Sequence, residues 1–374
     1  MRLGPAVALA AWLAASAGAQ TGIPSVVLED APEVHLPGVE VPERSLWHEC
    51  DSNSPVYWDG GTVYVINSYD HPVRSFGPDL LHLSNRARVK FGGLDDNLSL
   101  WIEAAWKDAD GTLYGAFHYE PDMICFSNRH LPTVPRIGWL RSRDNGATWE
   151  DLGFVIEAKP CAVKCDTASP WDAGGTGDFV FMPDDKREYI YFFGTSYDPD
   201  PRQQGVFAAR MRFADRNNPS GKVWKWHEGG WREPGLGGRM TPVFPSERDY
   251  HRADGAMFWG PAVHWNTHLE MYVMLLNHAI DTRLSGDGIY ISFNRSLEDP
   301  AGWSKPAMIV DGPGVRQIMK GTGLSQTKME NGWYPQAIGT ARGETDKFLG
   351  STGRFFMAGT SKKTIIFLKP GETR

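Results

Sequence analysis

The chain has 374 residues, 41 % hydrophobic and 22 % charged, which is enough apolar side chain to bury a large core and too much for disorder. Its formal net charge of −7 comes without a basic run or an aromatic–basic stripe, which argues against nucleic acid as a partner. Past the first twenty residues no apolar stretch approaches the ~18–20 residues that cross a bilayer, so no membrane partner is expected either.

The chain opens on "MRLGPAVALAAWLAASAGAQ", in which one basic residue, Arg2, precedes an apolar run that ends in the small-x-small pattern "AGA". This predicts a signal peptide over residues 1–19, cut after Ala19, and a secreted or periplasmic bacterial protein. Residues 20–47, an N-terminal extension containing "SVVLEDAPEVHLPGVEVPERSLW" (25–47), are expected to pack on the body of the fold. They would either wrap its base or add a strand to its last repeat.

From residue 48 the chain repeats itself. Five segments run from an apolar-aromatic strand into a small or polar patch: "VYVINSYD" (63–70), "LYGAFHYEP" (113–121), "IYFFGTSYD" (190–198), "MYVMLLNHAID" (271–281) and "FFMAGTSKK" (355–363). A strand and turn precede each, from "SPVYWDGG" (54–61) to "WYPQAIGTARG" (333–343), and a third strand follows, from "LLHLSNR" (80–86) to "TIIFLK" (364–369). Antiparallel strands recurring at intervals of about 50–80 residues are the pattern of a propeller, whose blades bury their faces only against neighbours. The expected fold is therefore all-β, a five-bladed β-propeller over residues 48–374, forming a single domain and a monomer. The 41 Gly and 26 Pro agree, since they supply turns and leave no room for long helices. "SRDNGATW" (142–149) matches the Ser-x-Asp-x-Gly-x-x-Trp pattern of an Asp box, in which Asp144 and Trp149 would lock a hairpin turn.

Cys50, Cys125, Cys161 and Cys165 make an even count that suits disulfides in an exported chain. Cys161 and Cys165 also have zinc-ligand spacing, but no second pair follows them. The stretch "CDSNSP" (50–55) is echoed by "CDTASP" (165–170). Either the two are turns of a repeated unit, with Asp51 and Asp166 capping their own backbone, or the fold gathers them into one acidic site.

In a propeller the innermost strand of each blade starts at the mouth of the central funnel, so polar residues there converge on one pocket. Those starts hold Glu49, Asp51 and Asn53; Trp101 and Glu103; Asp166, Asp172 and Asp178; Asp254 and Trp259; and Trp333, Tyr334 and Gln336. Acids and aromatic rings together suit carbohydrate. Cleavage of a glycoside needs one carboxyl kept protonated and another kept ionised, and flat rings stack on the apolar face of a sugar. Glu103 stands out within the apolar "WIEAAW", where a carboxylate is costly without a partner or a solvated cavity. His118 and His278 end second strands and could line the funnel or sit as hydrogen-bonded interior imidazoles. The indoles of Trp101, Trp259 and Trp333 are sugar platforms or packing between blades.

Blocks such as "GDFVFMPDDKREYIYFFG" (177–194) and "WGPAVHWNTHLEMYVML" (259–275) resemble the blade openings of the five-bladed glycoside hydrolases, the group that includes families 43, 62, 32 and 68. "CDSNSPVYWDG" (50–60), with the segment that follows it to residue 83, also resembles uncharacterised secreted bacterial glycosidases. The resemblance implies an enzyme that cleaves a poly- or oligosaccharide. Family 43 opens its first blade with Asp-Pro, whereas Pro55 here follows Ser54, so the base or nucleophile is assigned to Asp51 a few residues upstream, its carboxylate directed into the funnel by the Asn53-Ser54-Pro55 turn, and Asp178 corresponds to the family's modulating acid. In family 43 the general acid is a Glu directly before Gly-Pro, whereas here Trp259 precedes Gly260-Pro261, so the acid is assigned to Glu103, with Asp254 or His264 behind it. Asn53, His118, Asp166, Asp254, Trp259, His264, His278 and Trp333 complete the candidate substrate contacts. No metal site is expected, because no His/Cys/carboxylate spacing specifies one; related propellers sometimes hold a central ion beside a histidine, which leaves a structural cation in the channel open. Two alternatives stand beside the hydrolase: a non-catalytic sugar-binding propeller, and a polysaccharide lyase using His118 and Tyr119.

Overall fold

The inner strand of a blade is pressed between its own sheet and the next, so it must be apolar on both faces. Leu100–Lys107 and Thr176–Pro183 meet that condition, being buried at nearly every position. The computed structural model describes residues 22–41, 46–95, 98–121 and 132–374 and forms a five-bladed propeller. The segment read as a signal peptide, residues 1–19, and Cys125 lie outside the described residues.

Blade I holds Val56–Asp59, Thr62–Tyr69, His71–Gly77 and Ser84–Arg88, each antiparallel to the next. Its third strand follows the second directly through Asp70, at φ 59°, so "LLHLSNR" supplies the fourth strand rather than the third. Blade II runs Leu100–Lys107, Leu113–Tyr119, Arg136–Ser142 and Thr148–Ile156. Blade III begins with Thr176–Pro183, Tyr189–Ser196 and Gly205–Arg212, and blade IV with Met257–Asn266, Met271–Ala279 and Gly286–Asn294. Blade V is built from Gln336–Ile338, Thr352–Met357 and Thr360–Leu368. "FFMAGTSKK" is therefore a hairpin and not one strand; Ala358 and Gly359 turn it at φ 46° and 71°.

Ser25–His35 pairs antiparallel with Thr360–Leu368 as the outermost strand of blade V, so the start of the described chain shuts the ring. Apolar clusters straddle each junction. One joins Tyr57 and Ile66 of blade I to Ile102 and Phe117 of blade II, and another joins Val273 and Leu275 of blade IV to Phe355 and Ile365 of blade V. Two short helices, Gly312–Met319 and Gln326–Asn331, are inserted between blades IV and V. Asp311 caps the first by accepting from Gly314 N at 2.8 Å.

In the Ser142–Trp149 turn Asp144 Oδ1 accepts from Thr148 N at 2.9 Å, and Trp149 Nε1 donates to Gly146 O at 3.1 Å. The cysteines correct the expectation of general pairing. Cys165 is in a disulfide, but Cys50 is a buried free thiol and Cys161 an exposed one.

Candidate active site

The inner strands of blades II, III and IV each carry a bulge near the same end. Pairing with the second strand skips Glu103 in blade II, gains a residue at Asp178–Phe179 in blade III, and gains one at Gly260–Pro261 in blade IV. A bulge turns side chains out of the ladder and leaves backbone groups without strand partners. Those groups are met by buried polar side chains, as buried polar atoms require. Glu103 Oε2 accepts from Phe179 N at 2.8 Å, Asn53 Nδ2 donates to Phe179 O at 3.2 Å and to Pro261 O at 3.0 Å, and Thr195 Oγ1 accepts from Gly260 N at 3.1 Å.

Above this layer opens a cavity of about 530 Å³. Six carboxyl side chains line it: Glu49, Asp51, Asp70, Glu120, Asp172 and Asp178. Trp101, Trp171 and Trp333 give it indole walls, and its only lining cations among the described residues are His118 and Lys328.

Asp178 is the best-held acid. Its backbone sits at φ 41°, a conformation that costs an ordinary residue about 1–3 kcal/mol. Its Oδ1 accepts from Tyr334 Oη at 2.8 Å, its Oδ2 accepts from Tyr197 Oη, and Tyr334 itself lies at φ 54°. His118 presents Nδ1 to Glu103 Oε1 at 2.9 Å and Nε2 to Glu120 Oε1 at 3.4 Å. Gly177 permits this approach: a Cβ there would lie 2.4 Å from His118 Cε1 and 2.5 Å from Nε2. Burial by itself would lower the His118 pKa, but the bond from Glu103 and the charges of Glu120 and Asp178 outweigh it and raise it to about 10. The ring is an imidazolium at neutral pH.

Glu120 differs from its neighbours because about a third of its side chain remains exposed. Burial, with repulsion from Asp178 and Asp51, pushes its carboxyl up to about 7 against the pull of His118. Asp172 is pushed well above the usual carboxylate range by burial and then by Glu120 and Asp178; its Oδ1 accepts from Thr133 Oγ1 at 3.3 Å and its Oδ2 from Tyr250 Oη at 3.1 Å. Burial also raises Asp51, but Lys328 opposes it, with Nζ 3.3 Å from Asp51 Oδ1 and 2.9 Å from Glu49 Oε1. Lys328 comes from the inserted Gln326–Asn331 helix and crosses over the ring of Tyr69 at 4.7 Å.

The sequence-derived candidates divide accordingly. Asp51, His118, Asp178 and Trp333 line the cavity. Glu103, the expected acid, does not: it is 1 % exposed, with one oxygen on His118 and the other on Phe179 N, so it acts behind the imidazole. Asn53 ties two bulges together and has no substrate to reach. Trp259 is fully buried and stands edge-on to Trp333 and Tyr334 at 5.5 and 5.6 Å, backing the wall they form. Asp166 and Asp254 are on the surface, beside Lys164 at 3.3 Å and Arg252 at 2.9 Å. His264 lies edge-on to Phe367, its pKa lowered to about 3 by burial, and His278 bonds Asp287 at 3.1 Å; neither lines the cavity. For the surface pair, Asp166→Ala and Asp254→Ala should leave both turnover and the denaturation midpoint unchanged, because exposed ion pairs contribute little. A tenfold loss of activity in either would extend the site to the outer rim.

Glu120, Lys328, Tyr197 and Tyr250 escaped the sequence reading. A signal for the first existed: second strands end in Tyr69-Asp70, Tyr119-Glu120 and Tyr197-Asp198, an aromatic-acid pair at one recurring position. Nothing in "SQTKMENGW" marks Lys328. The atoms of Glu103, His118 and Asp178 lie within 4.8 Å of one another, close enough to hold a cation. Each carboxylate oxygen of that trio already accepts a hydrogen bond, so a cation would have to displace those donors.

No family model matches the chain, and no curated protein does. Solved structures similar to it include an exo-β-1,3-galactanase from Phanerochaete chrysosporium with β-1,3-galactotriose, at 11 % identity and TM-score 0.48 over 91 % of this chain and 63 % of that one. This chain thus spans less than two thirds of the galactanase's length. An α-L-arabinanase from Cellvibrio cellulosa with arabinohexaose is similar at 14 % identity and TM-score 0.45, over 71 % of this chain and 79 % of that one. A thermostable family-43 glycoside hydrolase is similar at 10 % identity and TM-score 0.48, over 84 % and 88 %.

Proposed function

We propose that the protein is a secreted glycoside hydrolase that cleaves a poly- or oligosaccharide in the axial cavity. The observation that carries this reading is a cavity of about 530 Å³ in which carboxyl groups from blades I, II and III face indole walls. Glu120 is the general acid: it is held protonated up to about pH 7, it is open to the cavity, and it gives its proton to the leaving oxygen as the bond to the anomeric carbon breaks. Asp51, paired with Lys328 at 3.3 Å, takes the proton from the attacking water or attacks the carbon itself. Asp178 holds the charge balance of His118 and Glu120 and orients the sugar, while Glu103 positions His118. The apolar leader ending in "AGA" supports export.

Elimination is the weaker reading, because a lyase must neutralise a uronate carboxylate and no arginine lines the cavity among the described residues. Trp259 in the place of the family 43 acid favours a sugar-binding propeller without catalysis, and the test is set against that alternative. Incubation with a broad glycan panel should release reducing ends without growth of absorbance at about 235 nm, the mark of proton abstraction and elimination. Asp51→Asn should abolish the release while sugar binding persists. Binding without cleavage of any glycan by the unmodified protein would establish the lectin-like alternative.

A further inference from the structure

Two histidines meet at the seam of the ring. His35 ends the strand Ser25–His35 that closes blade V, and His48 lies in Leu46–Glu49, the short strand that leads into blade I. Their rings overlap with centroids 4.0 Å apart and planes inclined at 34°. Each imidazole is also tied to a further part of the chain. His35 Nδ1 meets Thr360 Oγ1 at 2.9 Å, at the start of the last strand, and its Nε2 meets Glu33 Oε1 at 2.7 Å. His48 Nε2 donates to Thr322 O at 3.3 Å, in the loop between the two inserted helices. One pair of rings thus joins four segments that are distant in sequence.

The charges around the pair suit one proton better than two. Glu33 serves Lys362 Nζ at 3.1 Å as well as His35. Burial raises the Glu33 carboxyl, but the bond and charge of Lys362, and then His35, bring it below its ordinary value, so it stays ionised near neutral pH. On the strand of His48 stands Glu49, which Lys328 reaches at 2.9 Å from the second inserted helix. Arg86, bonded to Gly38 O and 3.7 Å from Glu40, and Arg354, bonded to Pro32 O, border the cluster. A second imidazolium would therefore add a like charge 4.0 Å from the first, on a ring that has a carbonyl and no ion-paired carboxylate as its partner among the described residues.

We propose that His35 and His48 form an acid-sensitive clasp, in which protonation of both rings pushes them apart and loosens the closing strand of the propeller while the other blades stay folded. The clasp is independent of what the cavity cleaves or binds. The titration of His48 has the sign that the clasp needs. Burial first, and then the charge of His35, hold its pKa below the ordinary histidine value, against the bond to Thr322 and the carboxylates of Glu49 and Glu33. A base whose folded value lies below its unfolded value, about 6.5, leaves the folded seam unburdened above that pH. The unfolded form then binds more protons as the pH falls through that value, and the seam loses stability.

The experiment follows amide hydrogen exchange by mass spectrometry in the full chain at about pH 7.5 and about pH 5, with rates corrected for the intrinsic pH dependence of exchange. A local probe is needed because Glu120, far from the seam, also titrates near pH 7 and would contribute to any global midpoint. Corrected exchange in Ser25–His35 and Thr360–Leu368 is expected to rise about tenfold at the lower pH, while Leu100–Lys107 of blade II changes less than about twofold. His48→Phe keeps a flat ring that takes no proton, so its seam should exchange alike at both pH values. Should that variant fail to fold, His48→Gln, whose amide can still donate to Thr322 O, replaces it, and the contrast between strands of the unmodified protein stands as the primary result. Equal seam protection at both pH values overturns the clasp, as does an acid response that survives in the variant. A parallel rise in blade II also overturns it, since acid would then open the ring as a whole.

Discussion

Glu120→Gln is expected to lower kcat/KM on an oligosaccharide by about 10²–10⁴-fold, the usual contribution of a positioned general acid, with KM nearly unchanged. The same variant should lose far less on an aryl glycoside whose phenol leaves without protonation. In the unmodified enzyme activity should fall as the pH rises through about 7, because the working form of Glu120 is protonated and its carboxyl has been raised to that value. Glu120→Gln should lose this alkaline limb on the aryl substrate. An equal loss on both substrates would show that Glu120 serves binding rather than proton transfer and would return the search for the acid to Asp172.

The second large effect is on stability. Lys328→Met leaves Glu49 and Asp51 facing each other without their shared cation, and breaking a buried pair from one side costs about 3–5 kcal/mol. Burial works against the charged ammonium, but Asp51 and Glu49 together overcome it and raise the Lys328 pKa. A raised basic group contributes its stability in full below its unfolded value, about 10.4, and loses it as the pH rises through the higher folded value. The deficit of Lys328→Met should therefore be complete at pH 7, read as a shift in the denaturant midpoint. Adding Glu49→Gln and Asp51→Asn should recover much of it, since the uncompensated charges then disappear. A midpoint within error of the unmodified protein would mean that the ammonium is solvated and holds nothing.

The five blades were legible because burial between neighbouring sheets imposes an apolar pattern that recurs with each unit, and pattern is what a sequence displays. Asp51 and Asp178 were legible for the same reason, as polar residues at the starts of inner strands. What misled was the assumption that every polar residue near the axis faces the funnel. Glu103 and Asn53 are there because the bulges at Asp178–Phe179 and Gly260–Pro261 free backbone groups that must be bonded, a need invisible until strand register is known. The echo of "CDSNSP" in "CDTASP" was informative at a distance: Asp166 points to solvent, yet Pro170, Trp171 and Asp172 just beyond it form cavity wall. Lys328 lay beyond inference, because a lone lysine on a short inserted helix carries no periodicity, and only the fold brings it to Glu49 across some 279 residues of chain.

The outer edge of blade V joins Ser25 to Leu368 and His35 to Thr360, partners near opposite ends of the described chain. Contacts of such sequence separation form late, because the entropy of bringing the ends together is lost before the pairing repays it. Blades I to IV can assemble in order as the chain is made, each resting on the one before. The annulus is sealed only when the final β-hairpin meets a segment made before any of them, so the seam of the ring cannot close until the end of the chain has been made.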